Sequence, residues 1–94
     1  MKEVYFAQND HFSEASISTF EGKQHLPLSC YDKVAEFPQE IDQEEIFFRT
    51  QNIDEPWSPS RFRSMSVGDL IHDTETDQTI ICCGTGFAPY TGEK

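Results

Sequence analysis

Short apolar runs alternate along this chain with polar and proline-rich interruptions. Both hydrophobic periodicities, two for strands and 3.6 for helices, can be read from it. Lys2 to Gln8 carries Val4, Tyr5 and Phe6, residues that suit a half-buried pleated surface, and Asn9-Asp10 ends the run; this predicts a first strand. Residues 9–30 are ambiguous. Phe12, Ile17 and Phe20 would line one helix face, with Asp10 as N-cap and Gly22 beyond the end. The Ser and Thr content of the same stretch leaves a strand or loop open. Leu26-Pro27-Leu28 reads as extended, because proline restricts the residue before it.

Tyr31 to Phe37 predicts a second strand, stopped by Pro38. Strict alternation would put Tyr31, Lys33, Ala35 and Phe37 on one face and Asp32, Val34 and Glu36 on the other. Asp42 to Gln51 predicts a helix: Asp42 and Glu45 form a capping-box-like pair, and acids cluster where the helix dipole favours them. Ile46, Phe47 and Thr50 fall together, Glu45 and Arg49 stand at i, i+4, and Asn52 is expected as a left-handed residue after the helix. Residues 53–63 contain two prolines and Trp57 and read as an ordered loop. Next comes a hairpin, with Met65–Asp73 and Gln78–Gly84 flanking the polar turn Thr74–Asp77. Pairing Asp73 with Gln78 sets Ile71 against Ile80. Val67, Asp69, Ile71, Ile80 and Cys82 then share one face; Leu70, His72, Thr79, Ile81 and Cys83 share the other. Both faces are apolar in part, so the hairpin is expected at the centre, covered on both sides.

The expected architecture is one small α+β domain over residues 1–94, with a small mixed or antiparallel sheet. A central hairpin lies at about 65–84 and one main helix at about 42–51. Residues 1–30 are hard to assign, 31–87 form the body, and 88–94 are expected to fray. Hydrophobic residues are only 36% of the chain, but 12 aromatics, eight of them Phe, give one small core enough apolar area.

Charge narrows the function classes. Seventeen acids against seven basic residues leave a formal net charge of −10. That disfavours direct nucleic-acid binding and an anionic membrane surface, both of which attract basic side chains. No apolar run is long enough to span a bilayer, and the N-terminus lacks the apolar stretch of a secretory signal. Cys30, Cys82 and Cys83 make an odd set with two adjacent members, a poor disulfide framework, so a cytoplasmic location is expected.

Five constellations that could carry catalysis or binding can be weighed. His72 with Cys30, Cys82 and Cys83 lacks any zinc spacing, and in the hairpin register Cys83 lies roughly 13 Å beyond the position facing His72, at about 3.3 Å per residue. Ser64, Ser66, Asp69 and His72 lie close in sequence, but alternation puts Asp69 and His72 on opposite faces, which defeats a hydrolytic triad. Gly84-Thr85-Gly86 has no Walker lysine and no following helix. No catalytic, cofactor or metal residue is therefore assigned, and no cofactor is expected. The acids are dense at Asp42, Glu44, Glu45, Asp54 and Glu55, either a solvated face or a patch that mimics DNA phosphate. Trp57, Arg61 and Arg63 form the basic-aromatic cluster, either an interface anchor or partners for the chain's own carboxylates.

Tyr31-x-x-Val34-Ala35, the stretch IFFRTQNIDEPW, RSMSVGD at 63–69 and the closing Gly86-Phe87 resemble small uncharacterised bacterial proteins with an "RSMSVGD…GF" signature, which are similar in turn to YodL-like domains. The resemblance covers 57 of 94 residues. Gln51 before Asn52 departs from a Thr-Asn pattern. The resemblance implies a bacterial, mobile-element setting and no established catalytic residues. Ser64, Ser66, Gly68, Asp69 and Phe87 also explain themselves as structure: capping at the strand start, close backbone approach, acceptance of backbone N–H groups, and closure of the core. The leading expectation is a non-enzymatic accessory module that binds another protein. The alternatives are an acidic DNA-mimic inhibitor and a small hydrolase.

Overall fold

A computed structural model describes residues 1–60 and 62–93. Arg61 and Lys94 lie outside the described residues. The chain is of the α+β class. Five antiparallel strands form one sheet: β1 (Lys2–Ala7), β2 (Tyr31–Phe37), β3 (Leu70–Asp73), β4 (Gln78–Cys83) and β5 (Gly86–Pro89). Their order is β2-β1-β3-β4-β5, which leaves β2 and β5 at the edges. Among the described residues two α-helices, α1 (Phe12–Phe20) and α2 (Gln43–Arg49), and two short 3-10 turns, Asn9–His11 and Leu28–Cys30, complete the fold.

The hairpin has the expected register. Ile71 pairs with Ile80 and Asp73 with Gln78. Asp77 takes a positive φ of 58° in the turn, which Asp tolerates better than most residues, and Asp73 Oδ1 accepts from Glu75 N at 2.9 Å. β3 is shorter than the expected strand and begins at Leu70. Residues 64–69 instead form a loop that binds other elements.

Alternation along the central strands builds a core on each side of the sheet. Val4, Phe6, Ile71 and Cys82 pack with Ile46 of α2 and Met65. On the opposite side Ala7, Tyr31, Leu70 and Ile81 pack with Ala15 of α1. Asp42 caps α2 by accepting from Glu45 N at 2.9 Å, and Arg49 pairs with Glu45 at 3.2 Å. Ile46 and Thr50 are fully buried, and Phe47 packs against their side of the core.

Four expectations are corrected. A bulge in β2 shifts the register between Val4↔Ala35 and Tyr5↔Lys33, so Val34 is the extra residue. It breaks the alternation: Val34, Ala35 and Phe37 all pack toward the α2 side, while Tyr31 packs toward α1. Helix α1 turns Ala15 and Thr19 inward and leaves Ile17 and Phe20 exposed. Its first residue also follows His11, not an Asp10 cap. Its closeness to the sheet explains the small buried residue: a Cβ on Gly68 would stand 2.8 Å from the Ala15 carbonyl carbon. Asn52 has no left-handed φ. Its side chain instead ties the loop, donating to the Phe62 carbonyl at 3.0 Å and accepting from Trp57 N at 2.9 Å. Residues 88–93 are not frayed. Tyr90 N donates to the Thr79 carbonyl at 3.0 Å, and Glu93 O accepts from Leu28 N at 2.7 Å.

Candidate functional site

The loop at 62–69 is organised by one buried carboxylate. Asp69 is 1% exposed. Its Oδ1 accepts from Ala7 N at 2.9 Å and from Arg63 Nη2 at 2.8 Å. Its Oδ2 accepts from Ser66 N at 2.8 Å and from Arg63 Nη1 at 2.6 Å. β1 extends two residues beyond its last pair with β3, Tyr5↔Leu70. Asp69 satisfies the Ala7 N–H that the ladder leaves over. The guanidinium also donates to the carbonyls of Ala7 at 3.1 Å and Ser64 at 3.2 Å. It lies over the rings of Phe6 at 4.5 Å and Phe12 at 4.3 Å, a cation–π contact with each. A planar bidentate donor suits this role as no lysine could.

The other residues of the segment make equally local bonds. Ser64 Oγ accepts from Asn52 N at 2.7 Å. Gly68 has a φ of +100° and lies against α1, its carbonyl accepting from the Tyr31 hydroxyl at 2.6 Å. Phe87 pairs with Cys82 and packs on the α2-side core. Trp57 meets Phe6 edge-on at 5.9 Å between ring centroids and Phe62 at 6.0 Å, and its Nε1 donates to the Arg63 carbonyl at 2.8 Å. Trp57 and Arg63 are thus brought together, with their polar atoms turned inward. Arg61, the third member of that cluster, lies outside the described residues.

These inward contacts shape a cleft of about 500 Å³ where β1 and β2 end. Phe6, Val34 and Phe62 supply its apolar walls. Asp32, Lys33 and Arg63 line it as charged groups, and Gln8-Asn9 line it beyond β1. Gln8 Nε2 donates to Asp32 Oδ1 at 3.1 Å. The bulge is what brings Val34 here, to the same side as Phe6. β2 is an edge strand. Among the described residues, only β1 forms backbone hydrogen bonds with residues 32–37, so the opposite side of this backbone is open. The cleft therefore adjoins an unpaired row of N–H and C=O groups.

A second cluster crosses the α1 side of the sheet. His72 Nδ1 is 2.9 Å from Glu3 Oε1, and its Nε2 is 2.9 Å from Asp77 Oδ1. Lys33 Nζ reaches Glu3 at 3.0 Å and Glu36 at 2.6 Å, and the Tyr5 hydroxyl donates to Glu3 at 3.2 Å. The hydrogen bonds from His72 and Lys33 hold the Glu3 carboxyl down at about 2. The Glu3 bond raises the His72 value, more than burial lowers it. A ring nitrogen facing a carboxylate on each side favours imidazolium, and neither nitrogen is free to take a proton. His72 and Asp69 are on opposite sides of the sheet, so Ser64, Ser66, Asp69 and His72 do not assemble. Among the described residues, no group of three or more His, Cys, Asp or Glu side chains could hold a metal. The Cys82 thiol is pushed up to about 12 by burial, with the Asp69 charge adding to it. It packs as a small apolar side chain.

All five acids of the candidate patch are exposed. Asp42, Glu44 and Glu45 sit at the start of α2, while Asp54 and Glu55 lie past its end. A seven-residue helix, about 10 Å at 1.5 Å per residue, separates the two groups. Phe48, 65% exposed, and Ile53, 68% exposed, lie between them in sequence. The cleft was not readable from sequence because three segments far apart in the chain build it. Its clearest local sign was Val34 among charged neighbours in an edge-like strand.

Comparison with family models, curated proteins and solved structures finds no match to this chain. No helix among the described residues is long and apolar enough to cross a membrane.

Proposed function

We propose that this chain is a non-enzymatic protein-interaction module whose contact region is the cleft at the free edge of β2. The supporting observation is the junction of a cleft of about 500 Å³, part apolar and part charged, with an unpaired strand edge. Proteins usually blunt an open edge or use it for strand addition. Trp57 and Arg63 serve this region from behind: Trp57 braces Phe6 and Phe62, and Arg63 fixes the end of β1. The RSMSVGD resemblance, together with three free cysteines, supports a bacterial cytoplasmic, mobile-element setting for this role. Affinity capture from the native host tests the reading. A partner held by the unmodified chain and lost with Phe62→Ala, while Phe48→Ser retains it, is expected. Equal capture by both variants would show that the cleft does not bind the partner.

A second reading is an acidic mimic that occupies a basic DNA-binding cleft. It is favoured by the exposure of Asp42, Glu44, Glu45, Asp54 and Glu55 on a chain of net charge −10. Inhibition of a DNA-binding target should then fall with added salt. It should also fall when Asp42, Glu44 and Glu45 are replaced by their amides. Inhibition that survives those replacements would remove this patch from consideration.

A further inference from the structure

We infer that the occupant of the β2 edge is an extended, basic segment of a partner protein, which adds to the sheet as a sixth strand and seats one apolar side chain in the cleft. This rests on the interaction reading above and specifies its partner.

Unsatisfied hydrogen-bonding capacity at this edge selects a peptide backbone. The cleft falls in the roughly 300–1,000 Å³ range of ligand pockets, which by size alone would admit a small molecule. Small-molecule sites orient their ligands with convergent polar groups. Here Arg63 donates to Asp69 and two carbonyls, and Lys33 is held by Glu3 and Glu36. No buried side-chain nitrogen or oxygen among the described residues lacks a partner. The open row of groups beside the cleft is main chain, and another main chain in extended conformation matches it.

Charge selects the sign of the partner. Residues 32–45 carry six acids and one base, a net of −5. Lys33, the single base, is already neutralised by two carboxylates. Asp32 and Glu36 are exposed on β2; facing Phe6 and Glu3 in the ladder, they stand three steps apart, roughly 10 Å at about 3.3 Å per residue, and the bulge turns them to opposite faces, while Glu40 follows beyond the strand. A strand laid along this edge meets acids near both ends, so basic residues about three positions apart, one to each face and flanking an apolar one, complement it. A second copy of this chain does not. Self-pairing brings a second edge carrying Asp32, Glu36 and Glu40 against the first, and like charges brought together across a ladder destabilise it.

The test is selection of random decapeptides on the intact chain, followed by amide chemical-shift mapping and sedimentation equilibrium. The expected result is enrichment of peptides with Lys or Arg flanking an apolar residue. Their shifts should centre on residues 32–37, Phe6 and Phe62. N-methylation of alternate peptide residues should abolish binding in one of the two phases. Asp32→Asn with Glu36→Gln should weaken binding about threefold at low salt, the scale of exposed ion pairs. Enriched peptides that are acidic, or that map to Phe48 and Ile53, would overturn the inference while leaving an interaction module. Self-association through residues 32–37 would overturn it in favour of a second copy. Absence of any enrichment would also overturn it, and the host-capture experiment would then decide the broader reading independently.

Discussion

Arg63 and Asp69 form a two-pronged ion pair, Nη1 to Oδ2 at 2.6 Å and Nη2 to Oδ1 at 2.8 Å, that joins the RSMSVGD loop to the end of β1. Asp69 is buried, whereas the Arg63 side chain is 27% exposed. Removing one partner of such a pair leaves the other without compensation, which matters more than the net worth of the pair. Asp69→Asn should therefore destabilise the fold by roughly 3 kcal/mol in urea unfolding. Arg63→Lys should recover only part of the native stability, because an ammonium cannot reproduce the fork or the stacking on Phe6 and Phe12. A loss below about 1 kcal/mol for Asp69→Asn, the worth of an exposed pair, would contradict this role.

Gly68 and Gly86 provide an internal comparison. Both have positive φ, at 100° and 139°. A Cβ at Gly68 would also collide with the Ala15 backbone at 2.8 Å, whereas nothing stands within 4 Å at Gly86. Gly86→Ala should cost only the backbone strain, on the order of 1–3 kcal/mol. Gly68→Ala should cost clearly more, because α1 must move off the sheet. Equal losses in thermal unfolding would show that the close approach is unimportant.

The Glu3–His72 pair gives stability a defined pH window. The folded Glu3 carboxyl titrates at about 2 against an ordinary 4.5, so its contribution is present above 4.5 and disappears as pH falls toward 2. The folded His72 value lies above 6.5, so its contribution is full below 6.5 and is lost as pH rises through the folded value. The stability difference between the native chain and His72→Gln should therefore be largest between about pH 4.5 and 6.5. It should shrink on either side. A difference independent of pH would contradict the network.

Cys82 should resist alkylation in the folded protein at neutral pH, since its thiol is buried and held protonated. Mass mapping after iodoacetamide treatment should find Cys82 modified only once the chain is unfolded. Rapid labelling of Cys82 under native conditions would mean that the core around β4 opens.

The parts of the fold legible in the sequence were those set by local rules. The Thr74–Asp77 turn sets the pairing of Ile71 with Ile80, and Asp42 with Glu45 marks the start of α2. The β2 bulge was not legible, because one inserted residue at Val34 is chosen by what Phe6, Phe62 and Ile46 need on that side of the sheet. α1 misled for a related reason. Its most apolar residues, Ile17 and Phe20, remain outside, since the near approach of Gly68 admits only a small side chain such as Ala15. At the candidate site, the capping roles of Ser64 and Asp69 were readable as short-range hydrogen bonding. The union of Arg63 with Ala7, 56 positions away, was not.

Backbone amide exchange of the chain, alone and with its captured partner, shows whether a strand adds to the β2 edge. Strand addition predicts new protection at alternate amides within residues 32–37, accompanied by slowed exchange next to Phe6 and Phe62. Protection confined to α2 and residues 52–59, with β2 unchanged, would contradict it.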